Sequence, residues 1–204
     1  SRLTLTARLV NGPKSSLEAL RSGDPGAVDA FYRDYAPRVL GWAIRLGGPD
    51  LDPEDAAHEV FETAFKRLSG FRGDSKLSTW LFGVTRRSLA NQRRKAALRR
   101  MVGLSQIAEP ADPLRTDEEV TRLRRRRAVQ HALERLNRRQ REVLVLCDME
   151  GYTAPEAGLM LDVPAGTVYS RLHHARKAFA AALVAEGIDV DEERRVIRLN
   201  RRTA

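Results

Sequence analysis

The chain has 204 residues, 42% of them hydrophobic, which is enough for one large domain or two small ones with real hydrophobic cores. Its 36 lysines and arginines outnumber its 27 acidic residues, and the resulting charge of +9 favours a polyanionic partner such as nucleic acid. The single cysteine excludes an internal disulfide framework, and no apolar run is long enough for a membrane span, so we expect a cytoplasmic protein without membrane contact.

Helical periodicity dominates the first half, and strand-like alternation is missing, which predicts an all-α fold. A first helix is expected from about Pro25 to Leu46, because the next residue, Gly47, favours the end of a helix. A second helix begins with the capping residue Asp52 and runs to Leu68. The residues expected to face inward on the first helix are Val28, Phe31, Tyr32, Tyr35, Val39 and Trp42. The outer face of the second helix carries an acidic strip that contains Asp55, His58, Glu59 and Glu62.

A third helix is predicted from about Ser78 to Lys95, after a loop at Gly70–Ser75. The residues Trp80, Leu81, Val84 and Leu89 are its core candidates. Its second half begins a basic run without acidic residues, which is typical of a phosphate-facing surface. The run consists of Arg86, Arg87, Arg93, Arg94, Lys95, Arg99 and Arg100.

Periodicity fades between about Met101 and Asp117, a stretch that contains prolines and acidic residues and is interpreted as a flexible linker. Helical pattern returns over Val120–Leu136, which contains five arginines between positions 122 and 127. A further helix, capped by Asn137, is expected over Arg138–Met149. It includes the buried run in which Cys147 fills the core.

The stretch 151–179 predicts a helix-turn-helix, in which two helices are joined by a tight turn and the second is basic. Thr153 and Glu156 form a capping box for the first helix, and Asp162 tolerates the left-handed turn that ends it. Pro164 opens the second helix. Residues Val168, Leu172, Ala175 and Phe179 would face inward, and Arg171, His173, Arg176 and Lys177 outward. The alternative is one more amphipathic helix pair with a solvated basic face.

These elements predict two small helical domains joined by a flexible linker, with the helix-turn-helix in the C-terminal one. The expected bounds are residues 16–97 for the first domain, 98–119 for the linker and 120–185 for the second domain. The extension 186–204 is either a regulator-binding helix or a loose basic tail.

Three segments together resemble the extracytoplasmic-function group of sigma factors in the sigma-70 family. The stretch 52–68 is similar to the acidic helix of sigma region two, and FRGDSKLSTWL at 71–81 is similar to the loop and helix start that follow it. In the second half, 136–179 resembles sigma region four through RQREVLVL, EGYT and GTVYSRLHHAR.

The resemblance implies a sigma factor that binds core RNA polymerase and directs promoter recognition, strand opening and initiation. Polymerase-binding residues would be Asp55, His58, Glu59 and Glu62. Residues expected at the downstream promoter element, where a single-stranded base is held, are Arg72, Gly73, Asp74, Ser75, Lys76, Arg86, Arg87, Asn91, Arg93 and Arg94. Those expected at the duplex upstream element are Thr167, Tyr169, Ser170, Arg171, His173, His174, Arg176 and Lys177. An anti-sigma factor is implied as a further partner.

Other classes of function remain open at this point. A self-standing repressor or activator would bind duplex DNA through the C-terminal helices without polymerase. An enzyme is the weakest reading, because no catalytic constellation, cofactor motif or metal site can be assembled from these residues. The chain also departs from the family pattern. Arg87 stands where Asn is usual, and Gly158 where Ala is usual, so the preferred promoter sequence cannot be transferred.

Overall fold

The computed structural model describes residues 14–102 and 117–188, and all regular structure in these two ranges is helical. The chain divides into two compact units. In the sequence, the boundary between their main segments falls between Gln106 and Ile107. Residues 1–13, the middle of the predicted linker and the extension beyond residue 188 lie outside the described residues.

The described part of the first unit contains four α-helices, α1 (Lys14–Arg21), α2 (Pro25–Gly47), α3 (Pro53–Arg67) and α4 (Leu77–Met101), and a short 3-10 helix (Leu68–Gly70). Helices α2, α3 and α4 pack against each other pairwise around an aromatic and aliphatic core. In that core the rings of Trp42 and Phe82 lie 5.0 Å apart in an edge-to-face arrangement.

Side-chain caps stabilise the starts of α2 and α3, and the sequence analysis predicted the second of them, at Asp52. The Asp24 carboxylate accepts a hydrogen bond from the amide of Ala27 at 2.9 Å. The Asp52 carboxylate accepts from the amides of Glu54 and Asp55, both at 2.9 Å. Each cap satisfies amide groups that have no partner within their own helix.

The expected helix bounds and core differ from the structure in three places. Helix α1 was not predicted, because eight residues give too short a periodic signal, although its Leu20 is buried. Helix α4 continues six residues past the expected end at Lys95, since Ala, Leu, Arg and Met all favour helix. Tyr32, expected in the core, is 42% exposed and lies over Phe61, with ring centroids 4.7 Å apart.

The second unit contains α5 (Asp117–Glu134), α6 (Arg138–Leu144), a π-helical turn (Val145–Met149), α7 (Ala154–Leu161) and α8 (Ala165–Ala185). Helix α5 begins three residues before the predicted Val120. The sequence analysis assigned residues 117–119 to the linker, whereas the structure includes them in the helix. The core includes Val143, Leu144, Cys147, Ala157 and Val168, all of which are buried.

The helix predicted over Arg138–Met149 begins at Arg138 as expected, but its last five residues form a π-helical turn. Asn137 and Gln140 form a reciprocal capping box at the start. From Val145 the helix widens, and the amide of Glu150 donates to the carbonyl of Val145 at 3.0 Å, five residues back. The wider turn positions Asp148, whose partner is described below.

Candidate nucleic-acid and protein interfaces

The helix-turn-helix is formed by α7, the turn 162–164 and α8. Thr153 and Glu156 make the predicted capping box, in which the Glu156 carboxylate accepts from the Thr153 amide at 2.9 Å. Asp162 adopts the left-handed conformation, with φ 57° and ψ 53°. The amide of Val163 then donates to the carbonyl of Gly158 at 3.0 Å and closes the turn. The predicted tight turn and the capping box of α7 are therefore confirmed, whereas α8 begins after its N-cap residue Pro164 without a side-chain capping hydrogen bond.

Gly158 sits where the backbone of the turn approaches α7 most closely. A Cβ atom placed on this residue would lie 2.7 Å from the carbonyl oxygen of Val163. That oxygen belongs to the main chain and cannot rotate away. The absence of a side chain at position 158 is therefore a steric requirement of this turn.

Helix α8 separates its buried face from its exposed one as predicted. Val168, Leu172 and Ala175 are buried, and Phe179 is partly buried. Of the residues expected at duplex DNA, Tyr169, Ser170, His173, His174, Arg176 and Lys177 are exposed, and Thr167 and Arg171 are half-buried. The His173 and His174 rings lie 5.5 Å apart. The helix thus presents a continuous polar and cationic face to solvent.

Arg176 has a partner that the sequence did not reveal. Its Nε and Nη2 atoms donate to the two carboxylate oxygens of Asp148 at 2.8 and 2.6 Å. These hydrogen bonds, opposed by partial burial and aided by the Asp148 charge, raise the pKa of Arg176 above its ordinary value. Because two nitrogens of the guanidinium each donate to one carboxylate oxygen, this pair is positioned to fix α8 against the π-helical turn. Its expected role as a DNA contact stays a prediction and now has a competing use.

We expect a double-mutant cycle on Arg176→Ala and Asp148→Ala to give a coupling free energy of about 0.5–1 kcal/mol, a range typical of partly exposed pairs with good geometry. If the pair positions α8, Asp148→Ala also weakens binding to duplex DNA, although it removes a negative charge. Urea unfolding and DNA titration measure the two quantities. Lys177→Ala, on the same exposed face, is the control and is expected to leave the unfolding midpoint unchanged. Tighter DNA binding by Asp148→Ala would instead identify Arg176 as a direct DNA contact that Asp148 restrains.

The acidic strip is exposed along its full length on α3. Asp55, His58, Glu59 and Glu62 all face solvent, at the helical spacing that places them on one side. Within the strip, Glu62 pairs with Lys66 at 3.4 Å, and Glu59 lies 4.0 Å from Lys95. Both pairs are solvated, so they leave the strip available to a basic surface.

The loop before α4 is open to solvent on the side expected to meet single-stranded DNA. Arg72, Gly73, Asp74, Ser75 and Lys76 are all exposed. Gly73 has φ +83°, a conformation that side chains rarely adopt. The loop is anchored by the buried Phe71, whose ring lies 5.1 Å from that of the half-buried Trp80. Trp80 therefore contributes to the support of the loop, in line with its expected core role.

The basic run on α4 divides into two groups with different neighbours. Arg93 donates to the carbonyl of Leu46 at 3.2 Å, so it caps the C-terminus of α2. Arg100 forms an ion pair with Asp50. Arg87, Asn91 and Arg94 are exposed, and Arg86 is half-buried. The Nε atom of Arg87 also donates to the carbonyl of Gly83 within α4 at 2.9 Å. The expected contact between Arg93 and DNA therefore competes with a structural role that only the fold reveals.

A groove of about 370 Å³ lies between α3 and α4, and most of the exposed residues just named line it. It brings Arg87, Asn91 and Arg94 together with Thr63, Arg67 and Ser88, which the sequence analysis did not select. Three other lining residues were given different roles: Glu59 a protein contact, Val84 a core position and Lys95 a place in the basic run. Thr63 and Arg67 follow Glu59 at four-residue intervals, a spacing from which the shared face could have been inferred. The groove combines cationic and neutral hydrogen-bonding groups, which suits a phosphate with an attached base.

Other kinds of site find little support in the described parts of the chain. Residues 14–102 and 117–188 hold no group of three or more side chains that could bind a metal ion. None of the described helices is long and apolar enough to cross a membrane. Cys147 is buried.

Comparison with known proteins gives two family matches, one in each unit. Residues 31–99 match the model of sigma-70 region 2, and residues 126–179 match that of sigma-70 region 4. The chain is 31% identical to the ECF RNA polymerase sigma factor SigM of Mycobacterium tuberculosis over 167 residues, which are 82% of each chain. It is 29% identical to the RNA polymerase sigma-H factor of Pseudomonas aeruginosa over 177 residues, 82% of this chain and 91% of that protein.

Two solved structures share the fold. CnrH, in complex with the cytosolic domain of CnrY, matches 86% of this chain and 99% of its own with a TM-score of 0.62 and 21% identity. The sigma factor RpoE from Bartonella quintana, in complex with the anti-sigma factor NepR, matches with a TM-score of 0.54 and 25% identity. That match covers 76% of this chain and 96% of RpoE.

Proposed function

The chain belongs to the ECF group of sigma-70 RNA polymerase sigma factors, and we propose that it binds core RNA polymerase and directs it to promoters. The observation that carries this proposal is the presence of both family regions, each folded as a helical unit with its own exposed polar face. The family assignment favours this function over a self-standing repressor or activator, since region 2 accounts for most of the first unit.

In the proposed complex, the acidic strip on α3 docks on a basic surface of the polymerase. Complementary charge accelerates association and selects the correct partner. The exposure of Asp55, His58, Glu59 and Glu62 supports this role.

The loop 72–76 and the groove between α3 and α4 take the single-stranded DNA of the opened promoter. A base held outside the stack needs a close backbone approach, and its phosphates need positive charge. Gly73 supports the first requirement, and Arg87 with Arg94 supports the second.

Helix α8 enters the major groove of the upstream promoter element. Its exposed residues are long enough to reach base edges and phosphates. Arg171 and Lys177 are the cations that we assign to this contact, whereas Arg176 is shared with Asp148. Opening the DNA and joining nucleotides remain tasks of the holoenzyme, so this chain needs no catalytic site or cofactor of its own.

We expect the protein to act in the cytoplasm, where it would meet the polymerase. An anti-sigma factor is the expected inhibitory partner, an expectation supported by the similarity to RpoE, which is known in complex with one. Such a partner would cover the faces that meet the polymerase.

Run-off transcription with purified core polymerase on a promoter library tests the proposed function. Promoter-specific transcripts are expected only when core polymerase and this chain are both present, and their sequences would identify the preferred elements. A self-standing regulator would instead bind a palindromic duplex tightly without polymerase and yield no new transcript.

We expect Arg87→Ala to reduce open-complex formation about 10-fold, because losing a charged hydrogen bond costs roughly 1.5–3 kcal/mol and an exposed one less. Permanganate footprinting of the melted region measures the effect. Arg99→Ala is the matched control, since Arg99 is exposed on the same helix but does not line the groove. Equal effects of both substitutions would mean that general charge, and not the groove, is responsible.

A further inference from the structure

The first half of α5 carries a dense arginine run with no assigned role. Arg122, Arg124, Arg125, Arg126 and Arg127 are all exposed, and the buried face of the helix begins at Ala128. We propose that this run is a second DNA-binding surface, which contacts the phosphates of duplex DNA that flanks the upstream element. The proposal rests on the proposed function, because it requires α8 to lie on that element.

The helix α5, which carries the run, packs against α8. Val129 and Phe179 pack against a buried cluster of Ala132, Ala182 and Leu183. Glu186, the residue after the end of α8, lies 3.3 Å from His131 and 3.5 Å from Arg135.

These contacts involve residues 129–135 of α5 and residues 179–186 at the end of α8. On α5 the arginine run immediately precedes this contact region. On the exposed face of α8, His173 and Lys177 precede Phe179 by six and two residues. Duplex DNA held by α8 would thus pass near the arginine run.

The charge pattern of the run is unfavourable for the isolated helix. Arg122 and Arg126 are four residues apart, and Arg124 and Arg127 are three apart, so like charges lie on the same side of the helix. Such pairs destabilise a helix unless an anion lies between or beside them. The exposed run is distinguished by its density of cations, which suits a phosphate backbone.

The run lies across the start of the family match. The match to sigma-70 region 4 begins at residue 126, so three of the five arginines precede it and two lie within it.

The test compares two triple variants of the full-length chain in holoenzyme: Arg122→Gln/Arg124→Gln/Arg126→Gln, which loses three charges, and the same three positions changed to Lys. Binding to a linear promoter duplex is measured from 50 to 200 mM salt, the range over which phosphate contacts change affinity strongly. For the Gln variant we expect a salt slope smaller by about 0.9 per lost contact and a binding constant at least ~10-fold lower at the low-salt end. The Lys variant keeps the charges and is expected to stay close to wild type.

A second arm uses a promoter duplex that ends at the upstream edge of the element. Truncation is expected to weaken wild-type binding to the level of the Gln variant and to leave the Gln variant unaffected. An unchanged slope and affinity in the Gln variant would overturn the proposal. So would weaker binding of the Gln variant to core polymerase with an unchanged slope, because the partner would then be protein. Wild-type holoenzyme that fails to bind the full promoter would contradict the proposed function itself.

Discussion

Gly158→Val is expected to abolish recognition of the upstream element while leaving core polymerase binding intact. The Cβ atom alone would lie 2.7 Å from the Val163 carbonyl, and the two methyl groups of valine would add further overlap with the turn. The turn must open, which breaks the hydrogen bond from the Val163 amide to the Gly158 carbonyl. We expect a loss of at least about 2–3 kcal/mol of stability in the second unit, the upper range for overpacking. Urea unfolding followed by circular dichroism measures it.

Two glycine variants on the same motif act as controls for Gly158→Val. Gly158→Ala adds only the Cβ atom, which alone meets the Val163 carbonyl oxygen at 2.7 Å, so it is expected to destabilise the turn as well, but less than valine does. Gly166→Ala, in the first turn of α8, meets no atom within 4 Å and is expected to be neutral or stabilising by about 0.4–1 kcal/mol. A folded Gly158→Val protein with wild-type midpoint and promoter binding would show that the turn tolerates a side chain there.

Local chemistry made the helix boundaries predictable. Asp52, Asn137 and Thr153 each satisfy orphan amides within three residues of themselves, so the sequence contains both partners of every cap. Asp162 is a further local signal. It interrupts the apolar periodicity of the sequence, and α7 ends there because Asp162 adopts the left-handed conformation. The all-α class and the helix-turn-helix follow from such short-range signals.

Contacts between residues distant in sequence were not predictable in the same way. Arg93 and Leu46 are 47 residues apart, and Arg176 and Asp148 are 28 apart, so helical periodicity does not relate them. Both arginines were assigned to DNA because the period places them on a polar face. The fold gives each of them a protein acceptor as well.

Tyr32 illustrates a further limit of periodicity. It adjoins the apolar stripe of α2, and hydrophobicity alone assigned it to the core. Its ring covers Phe61 from the outside and lies 6.5 Å from the His58 ring, at the edge of the acidic strip. Periodicity identifies a face to within about one residue, whereas the width of the buried stripe depends on how α3 packs against it.

Glu59→Lys/Glu62→Lys is expected to lower the affinity for core polymerase by at least ~100-fold, or about 3 kcal/mol. Each substitution removes an attractive charge and sets a lysine against a basic partner, and like charges in an interface cost several kcal/mol. Fluorescence anisotropy of labelled protein titrated with core enzyme measures the affinity. The deficit should shrink at high salt, because screening weakens repulsion as well as attraction. The unfolding midpoint should change little, since both glutamates are exposed and their ion pairs with Lys95 and Lys66 are solvated.

Glu18→Lys is the matched control for this charge reversal, because Glu18 is exposed in the same unit but lies on α1. It changes net charge in the same direction and should leave core binding near wild type. If Glu18→Lys caused half of the affinity loss seen in the double variant, net charge would explain the effect, and the acidic strip would have no specific role. If the double variant bound core enzyme normally, the docking face would have to be sought elsewhere in the first unit. A specific loss would also silence every promoter at once, since no preferred DNA sequence can compensate for an enzyme that is never recruited.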